Sequence, residues 1–254
     1  MRLWVLKRRL AGLAVVGVVL AIIIGFGAWY FWPRANCTDG VKNGAEEDID
    51  CGGACQKQCL GEIPVEAKLL WKRAFLSRAG FVDVGAMMEN RNLRLGTRKF
   101  KYRFELYTRD DIFLGKVEGE TYLLPEQKTF VFHPNIAVGE RKPWRLDFSF
   151  NPVVWERMDG ELPSDIEVLN PGFEPSPHPI VRARIFNRAL FEERALEVVA
   201  LLKDRDGNVF AASKTDLKNI ASRTEAEAVF TWPTGLFPVS PNPEIEILYR
   251  RIPR

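Results

Sequence analysis

The sequence is short of groups that do chemistry. Its 254 residues include two histidines, His133 and His178, each directly before a proline. No G-x-S-x-G, H-E-x-x-H, G-x-x-x-x-G-K-[ST] or helix-opening G-x-G-x-x-G occurs, which removes the signatures of an esterase nucleophile, a zinc protease, a phosphate loop and a dinucleotide fold. Neither histidine is accompanied by a nucleophile motif, so both are read as surface or loop residues. Cysteine is absent from the last 195 residues, leaving no thiol there for a disulfide or metal site. Long helical periodicity is also missing beyond residue 60. A basic excess is missing as well. The net charge is +3, but four cations (Arg2, Lys7, Arg8 and Arg9) precede residue 10, and the remainder holds 32 basic and 33 acidic residues. A nucleic-acid footprint needs a basic stripe or surplus, so none is expected.

What is present begins with Leu10–Trp32, a run without a charge in which twelve residues are Leu, Val, Ile or Phe. As a helix it would span roughly 34 Å, enough for a bilayer core of about 30 Å. Insertion of these side chains is worth roughly −4 to −7 kcal/mol. The run ends on Trp29-Tyr30-Phe31-Trp32, suited to a lipid–water interface, and Pro33 stops the helix. The basic residues before it keep residues 1–9 cytoplasmic and send the C-terminal part outward. A cleaved signal peptide is the competing reading, but its apolar core would be shorter. The expectation is a single-pass protein of the cell membrane, partnered by lipid through residues 10–32, with its remaining domains extracytoplasmic.

The four cysteines, Cys37, Cys51, Cys55 and Cys59, all follow within residues 33–60. This stretch is almost devoid of apolar residues, so crosslinks must hold it, and in an oxidising compartment the set reads as a disulfide module with three alternative pairings. The spacing C-x13-C-x3-C-x3-C lacks the C-x2-C pairs usual for zinc. Asp39, Asn43, Glu46 and Asp50 supply hard oxygen atoms suited to calcium, although the EF-hand register is absent. The alternative is a solvated acidic turn between disulfides. The stretch resembles the D-C-G-G-x-C segments of secreted and surface proteins, which implies an extracytoplasmic module and no activity. Asn36-Cys37-Thr38 is formally a glycosylation sequon.

Beyond Leu60 the period becomes two. Phe100, Tyr102, Phe104 and Leu106 alternate with Lys99, Lys101, Arg103 and Glu105, and Val82, Val84, Ala86 and Met88 recur at the same period, as do Trp144, Leu146, Phe148 and Phe150 against Arg145, Asp147 and Ser149. In the second half Val181, Ala183 and Ile185 form one face, Leu196, Val198, Ala200 and Leu202 another, and Ile245, Ile247 and Tyr249 a third. Such strands with regular turn signals predict β-sandwiches. The halves repeat. Asn90-Arg91 corresponds to Asn187-Arg188, Leu106–Asp110 to Leu202–Asp206, and Leu124 to Ile220, with one extra residue between Asn and Asp in the first copy. Asp206-Gly207-Asn208 is a hairpin signal, and Asp110-Asp111 is its counterpart without glycine. Asn90 and Asn187 are read as strand-end residues of the kind that tolerate the left-handed region.

Phe104-Glu105-Leu106-Tyr107 is literally F-x-L-Y, and the surrounding pattern of both copies resembles the FxLYD family, an immunoglobulin-like sandwich related to late-embryogenesis-abundant domains. The second copy has Val199–Lys203 in place of F-x-L-Y. The resemblance covers much of residues 80–135 and 180–232. The layout is similar to that of uncharacterised bacterial single-pass proteins, and it implies fold and surface location without catalytic residues. The expected architecture is therefore all-β: two tandem immunoglobulin-like β-sandwich domains, residues 61–160 and 161–254, after one transmembrane helix and the Cys-rich module. Pro171–Pro179 is read as an extended crossover, with an interdomain hinge there as the alternative. Trp71, Trp144, Trp155 and Trp232 are read as core or rim packing, with sugar stacking as the alternative.

The expected function is non-catalytic: an envelope-structural or interaction protein on a short stalk. One alternative is an accessory subunit contacting partners through its helix, where Gly25-Phe26-Gly27-Ala28 permits close approach. The other is a cell-surface hydrolase with an unrecognised site. No motif demands a cofactor.

Overall fold

The computed structural model describes residues 17–27, 36–57, 59, 61, 63–158, 164–233 and 242–253. The chain forms two compact units, Met1–Cys59 and Leu60–Arg254. In the first, residues 17–27 are helical (α1). Val18, Val19, Leu20, Ile22, Ile23, Ile24 and Phe26 along it are all 49–68% exposed, so the helix has no polar stripe to turn to water. Among the described residues no helix is long and apolar enough to cross a membrane. The rest of the expected span, residues 10–16 and 28–32, lies outside the described residues.

The second unit is built of strands: β1 (Lys68–Arg78), β2 (Phe81–Glu89), β3 (Leu95–Tyr107), β4 (Phe113–Leu123), β5 (Lys128–Ala137), β6 (Arg145–Phe150), β7 (Glu156–Arg157), β8 (Ile166–Glu174), β9 (Ile180–Asn187), β10 (Glu193–Lys203), β11 (Val209–Ile220), β12 (Glu225–Thr231) and β13 (Glu244–Arg251). They form antiparallel sheets ordered β1-β2-β5, β4-β3-β6, β8-β9-β12 and β11-β10-β13, with β7 on the start of β3. Matching β1 to β8 and counting onward, the two halves have the same strand order in both of their sheets. Each half closes a core between its sheets. Val82, Val84, Ala86 and Met88 face Phe104, Leu106 and Leu123 in the first. Val181, Ala183 and Ile185 face Leu196, Val198 and Leu202 in the second.

The repeat extends to single residues. Asn90 and Asn187 are 1% and 0% exposed. Asn90 donates its amide to Leu95 O (2.8 Å) and Leu124 O (2.9 Å) and accepts Asn92 N–H. Asn187 donates to Phe191 O (2.8 Å) and Ile220 O (3.0 Å) and accepts Ala189 N–H. The positive φ values that the turn reading expects fall elsewhere. These asparagines close buried backbone groups at a corner, which a buried carbonyl requires. Both β3–β4 and β10–β11 turn after a register shift, at Leu106/Tyr107 and Leu202/Lys203. Asp111 takes φ 57° where the second copy has Gly207 at 78°. The extra residue of the first copy sits in the shift between Thr97 and Phe100.

A third core lies between the halves. Phe75, Met87 and Phe130 of the first pack on Val199, Leu201, Val209 and Ala212 of the second, with Trp71 and Phe132 beside them. The outer face of sheet β1-β2-β5 thus covers the outer face of β11-β10-β13, giving four stacked sheet layers. Gly85 is part of this fit, because a Cβ there would lie 2.1 Å from Phe130 Cζ. The proline-rich stretch departs from expectation. β8 continues through Pro171 to Glu174 across a register shift at Leu169/Gly172, and residues 175–179 connect it to β9, its antiparallel neighbour. The expected division near Asp159-Gly160 lies outside the described residues.

Candidate functional site

The loop after the apolar run is held by covalent and polar ties. Cys37 is bonded to Cys55 and Cys51 to Cys59. Asp50 accepts Asp39 N–H and Gly40 N–H, each at 2.9 Å. Asp39 accepts Val41 N–H at 2.9 Å and the Asn43 side-chain amide at 2.7 Å. Glu46 accepts Asn43 N–H at 3.0 Å. Asp39, Asn43, Glu46 and Asp50 therefore share one loop, with their oxygens directed to its own donors, a role that short carboxylates fill at turns. Among the described residues the group of three ligand-type atoms within 4.8 Å of one another is Cys37, Glu46 and Cys55, and its two sulfurs are bonded to each other. Gly53 permits the tight return, since a Cβ would fall 1.6 Å from Ala45 O.

Between the sandwiches runs a groove of about 810 Å³ whose lining includes Ser77, Arg78, Asp83, Phe132, His178 and Trp232. Its polar groups are committed to the scaffold. Asp83 accepts Asn135 N–H at 2.8 Å and is hydrogen-bonded by Ser77; burial raises its pKa against those bonds and the charge of Arg78. His178 Nδ1 lies 2.9 Å from Pro233 O, and Trp232 Nε1 donates to Ala212 O at 3.1 Å. His133, on β5, has its pKa lowered by burial and then by Lys214. The groove's carboxylate thus serves Ser77 and Asn135 while its histidine faces a backbone carbonyl. A serine–histidine–carboxylate relay is not assembled there among the described residues.

A buried ion cluster ties the halves together. Arg250 Nε donates to Glu197 Oε1 at 2.6 Å, and Lys214 Nζ donates to Oε2 at 3.1 Å. Arg250 then reaches the first sandwich, donating to Tyr122 O (2.9 Å) and Thr121 Oγ1 (3.0 Å) with its guanidinium 3.9 Å from the Tyr122 ring centroid. Burial alone would raise the Glu197 pKa, but Arg250 and Lys214 outweigh it and hold it below the ordinary value. Burial pushes the Tyr122 phenol well up. Sequence reading passed over this cluster, although a glutamate inside Leu196-Glu197-Val198-Val199 signals a charge that the fold must pair.

The four tryptophans separate. Trp71 lies between the halves, Trp155 packs on the first core and Trp232 is buried. Trp144 is 72% exposed. Its N–H donates to Tyr107 O at 2.8 Å, and Arg109 lies 5.3 Å from its ring centroid. Ile112 and Phe113 on the adjoining turn are 48% and 51% exposed, and Phe113 contacts the Tyr107 ring at 5.7 Å. These residues form an exposed apolar tip at one end of the first sandwich.

Compared with known proteins, the chain matches no protein-family model, and no curated protein matches it.

Proposed function

We propose that the chain is a non-catalytic, membrane-anchored extracytoplasmic protein that displays two immunoglobulin-like FxLYD-type sandwiches as one rigid body for envelope structure or interaction. The observation that carries the reading is α1, whose large apolar side chains are exposed on every side and whose sequence continues an uncharged run behind a basic tail. A helix of this kind is stable in lipid and unfavourable in water. The disulfides support an oxidising location. The common strand order of the halves supports the immunoglobulin-like assignment, and the committed polar groups of the groove support a non-catalytic role. Protease added to sealed cells should degrade the strand-rich unit, while alkaline carbonate leaves the chain in the membrane pellet. Full protection from protease, or release by carbonate, refutes the reading.

A second reading is an accessory subunit of a membrane complex. A Cβ added at Gly25 or Gly27 would meet nothing within 4 Å, leaving room for a partner helix. Gly25→Leu with Gly27→Leu should then abolish co-purification of a stoichiometric membrane partner without loss of anchoring.

A further inference from the structure

We propose that the tip formed by the β3–β4 turn and the β5–β6 loop is a docking site for an anionic lipid surface. Isolated exposed apolar residues are ordinary, but here three large ones share one end of the sandwich. Ile112 and Phe113 come from one turn and Trp144 from the next loop. The two segments are fastened together, because Trp144 N–H donates to Tyr107 O and Arg145 lies 3.1 Å from Asp111. The wedge is therefore presented by a braced scaffold and needs no ordering on contact.

Charge selects the occupant. Arg141 and Lys142 are exposed just before Trp144, and neither forms an ion pair among the described residues. Arg109 stands over the Trp144 ring. Arg145 and Lys72 together balance Asp111 and Asp147, which leaves Asp110 and Glu140 as the acids opposing these three cations, an excess of one positive charge. An indole, a phenyl ring and an aliphatic chain ringed by cations match the depth profile of a bilayer surface, with acyl boundary inside and anionic headgroups around it. A glycan would be served by the aromatic faces and would leave Ile112 in water. The inference does not depend on α1 or on the anchor.

The strand-rich unit suffices for the test, because every cluster of buried hydrophobic side chains among the described residues lies within it. Residues 60–254 are mixed with phosphatidylcholine vesicles containing about 30% phosphatidylglycerol, with and without brominated acyl chains. Wild type should sediment with the anionic vesicles and not with pure phosphatidylcholine. The emission of Trp144, taken as wild type minus Trp144→Phe, should be quenched by the bromines. Arg141→Gln and Lys142→Gln should each weaken partitioning about fivefold, and 0.5 M salt, roughly a 4 Å screening length, should weaken it further. Trp144→Ala should weaken it about tenfold or more. Equal partitioning of wild type and the two charge variants overturns the proposal. So does Trp144 emission that acrylamide quenches and bromolipid does not, the result expected of a tip that binds only protein or glycan. The charge variants lie on an exposed loop, and an unchanged melting temperature separates lost binding from lost fold.

Discussion

Single side chains do two kinds of work in this molecule. The paired asparagines close carbonyls that water cannot reach. Asn187→Ala would strand Ile220 O and Phe191 O, and Asn90→Ala would strand Leu95 O and Leu124 O. Each change should destabilise by about 2–4 kcal/mol, read as a shift in urea midpoint at unchanged slope. Their importance was visible in the sequence as a repeated Asn-Arg. Their role was not, because one of the carbonyls each serves, Leu124 O or Ile220 O, lies more than thirty residues away in the chain. Glu197 is the second case. Its folded pKa lies below the unfolded value, so its stabilising contribution is present above about pH 4.5 and is lost as pH falls through the folded pKa. Glu197→Gln should cost about 3 kcal/mol at pH 7 by leaving Arg250 buried and uncompensated. It should also flatten the loss of stability that wild type shows below pH 4.5, as measured by denaturation at a series of pH values.

At the level of elements, the disulfide loop and the strands obey different rules. The described residues 36–57 contain turns and one isolated bridge, Asp48 with Cys51, so their order depends on Cys37–Cys55 and Cys51–Cys59. In the chain-entropy model each closure is worth about 3 kcal/mol. Mild reduction should raise amide exchange throughout this loop while the melting of Leu60–Arg254 stays the same. Survival of loop protection after reduction would contradict that dependence. Strand alternation was readable because the period of two puts one face in a core. It under-described β2 and β10. Met87, Val199 and Leu201, on their supposedly outer faces, are 4%, 3% and 0% exposed. The unbroken run Val198–Leu202 is the signature of a strand covered on both sides. In β8, Pro171 and Gly172 read as a break, yet the strand absorbs them at a register shift, a position where proline costs no ladder bond.

For the molecule as a whole, the third core decides how the halves behave. It joins residues from β1, β2 and β5 to residues from β10, β11 and β13, and Arg250 with Arg73 adds polar ties across the same boundary. The Leu60–Arg254 unit should therefore unfold in one calorimetric transition, with van't Hoff and measured enthalpies equal. Leu201→Asp places a charge in the shared core while leaving the inner core of its own sandwich intact. It should split that transition in two, and a single transition at lower temperature would mean that the halves lack separate stability.

The order of residues by itself determined the strands, the twofold repeat, the crosslinked loop and the apolar run with its charge asymmetry. These are local or periodic properties, set by spacing, turn chemistry and hydrophobicity within a few residues. Tertiary structure alone decided which cysteines pair, that two outer sheet faces are buried against each other, that Glu197 meets Arg250, and that Trp144 among the tryptophans of the described residues is left in solvent. Each of those outcomes depends on which distant surfaces come into contact, and a buried face and an exposed one can carry the same residue types until the partner surface is known.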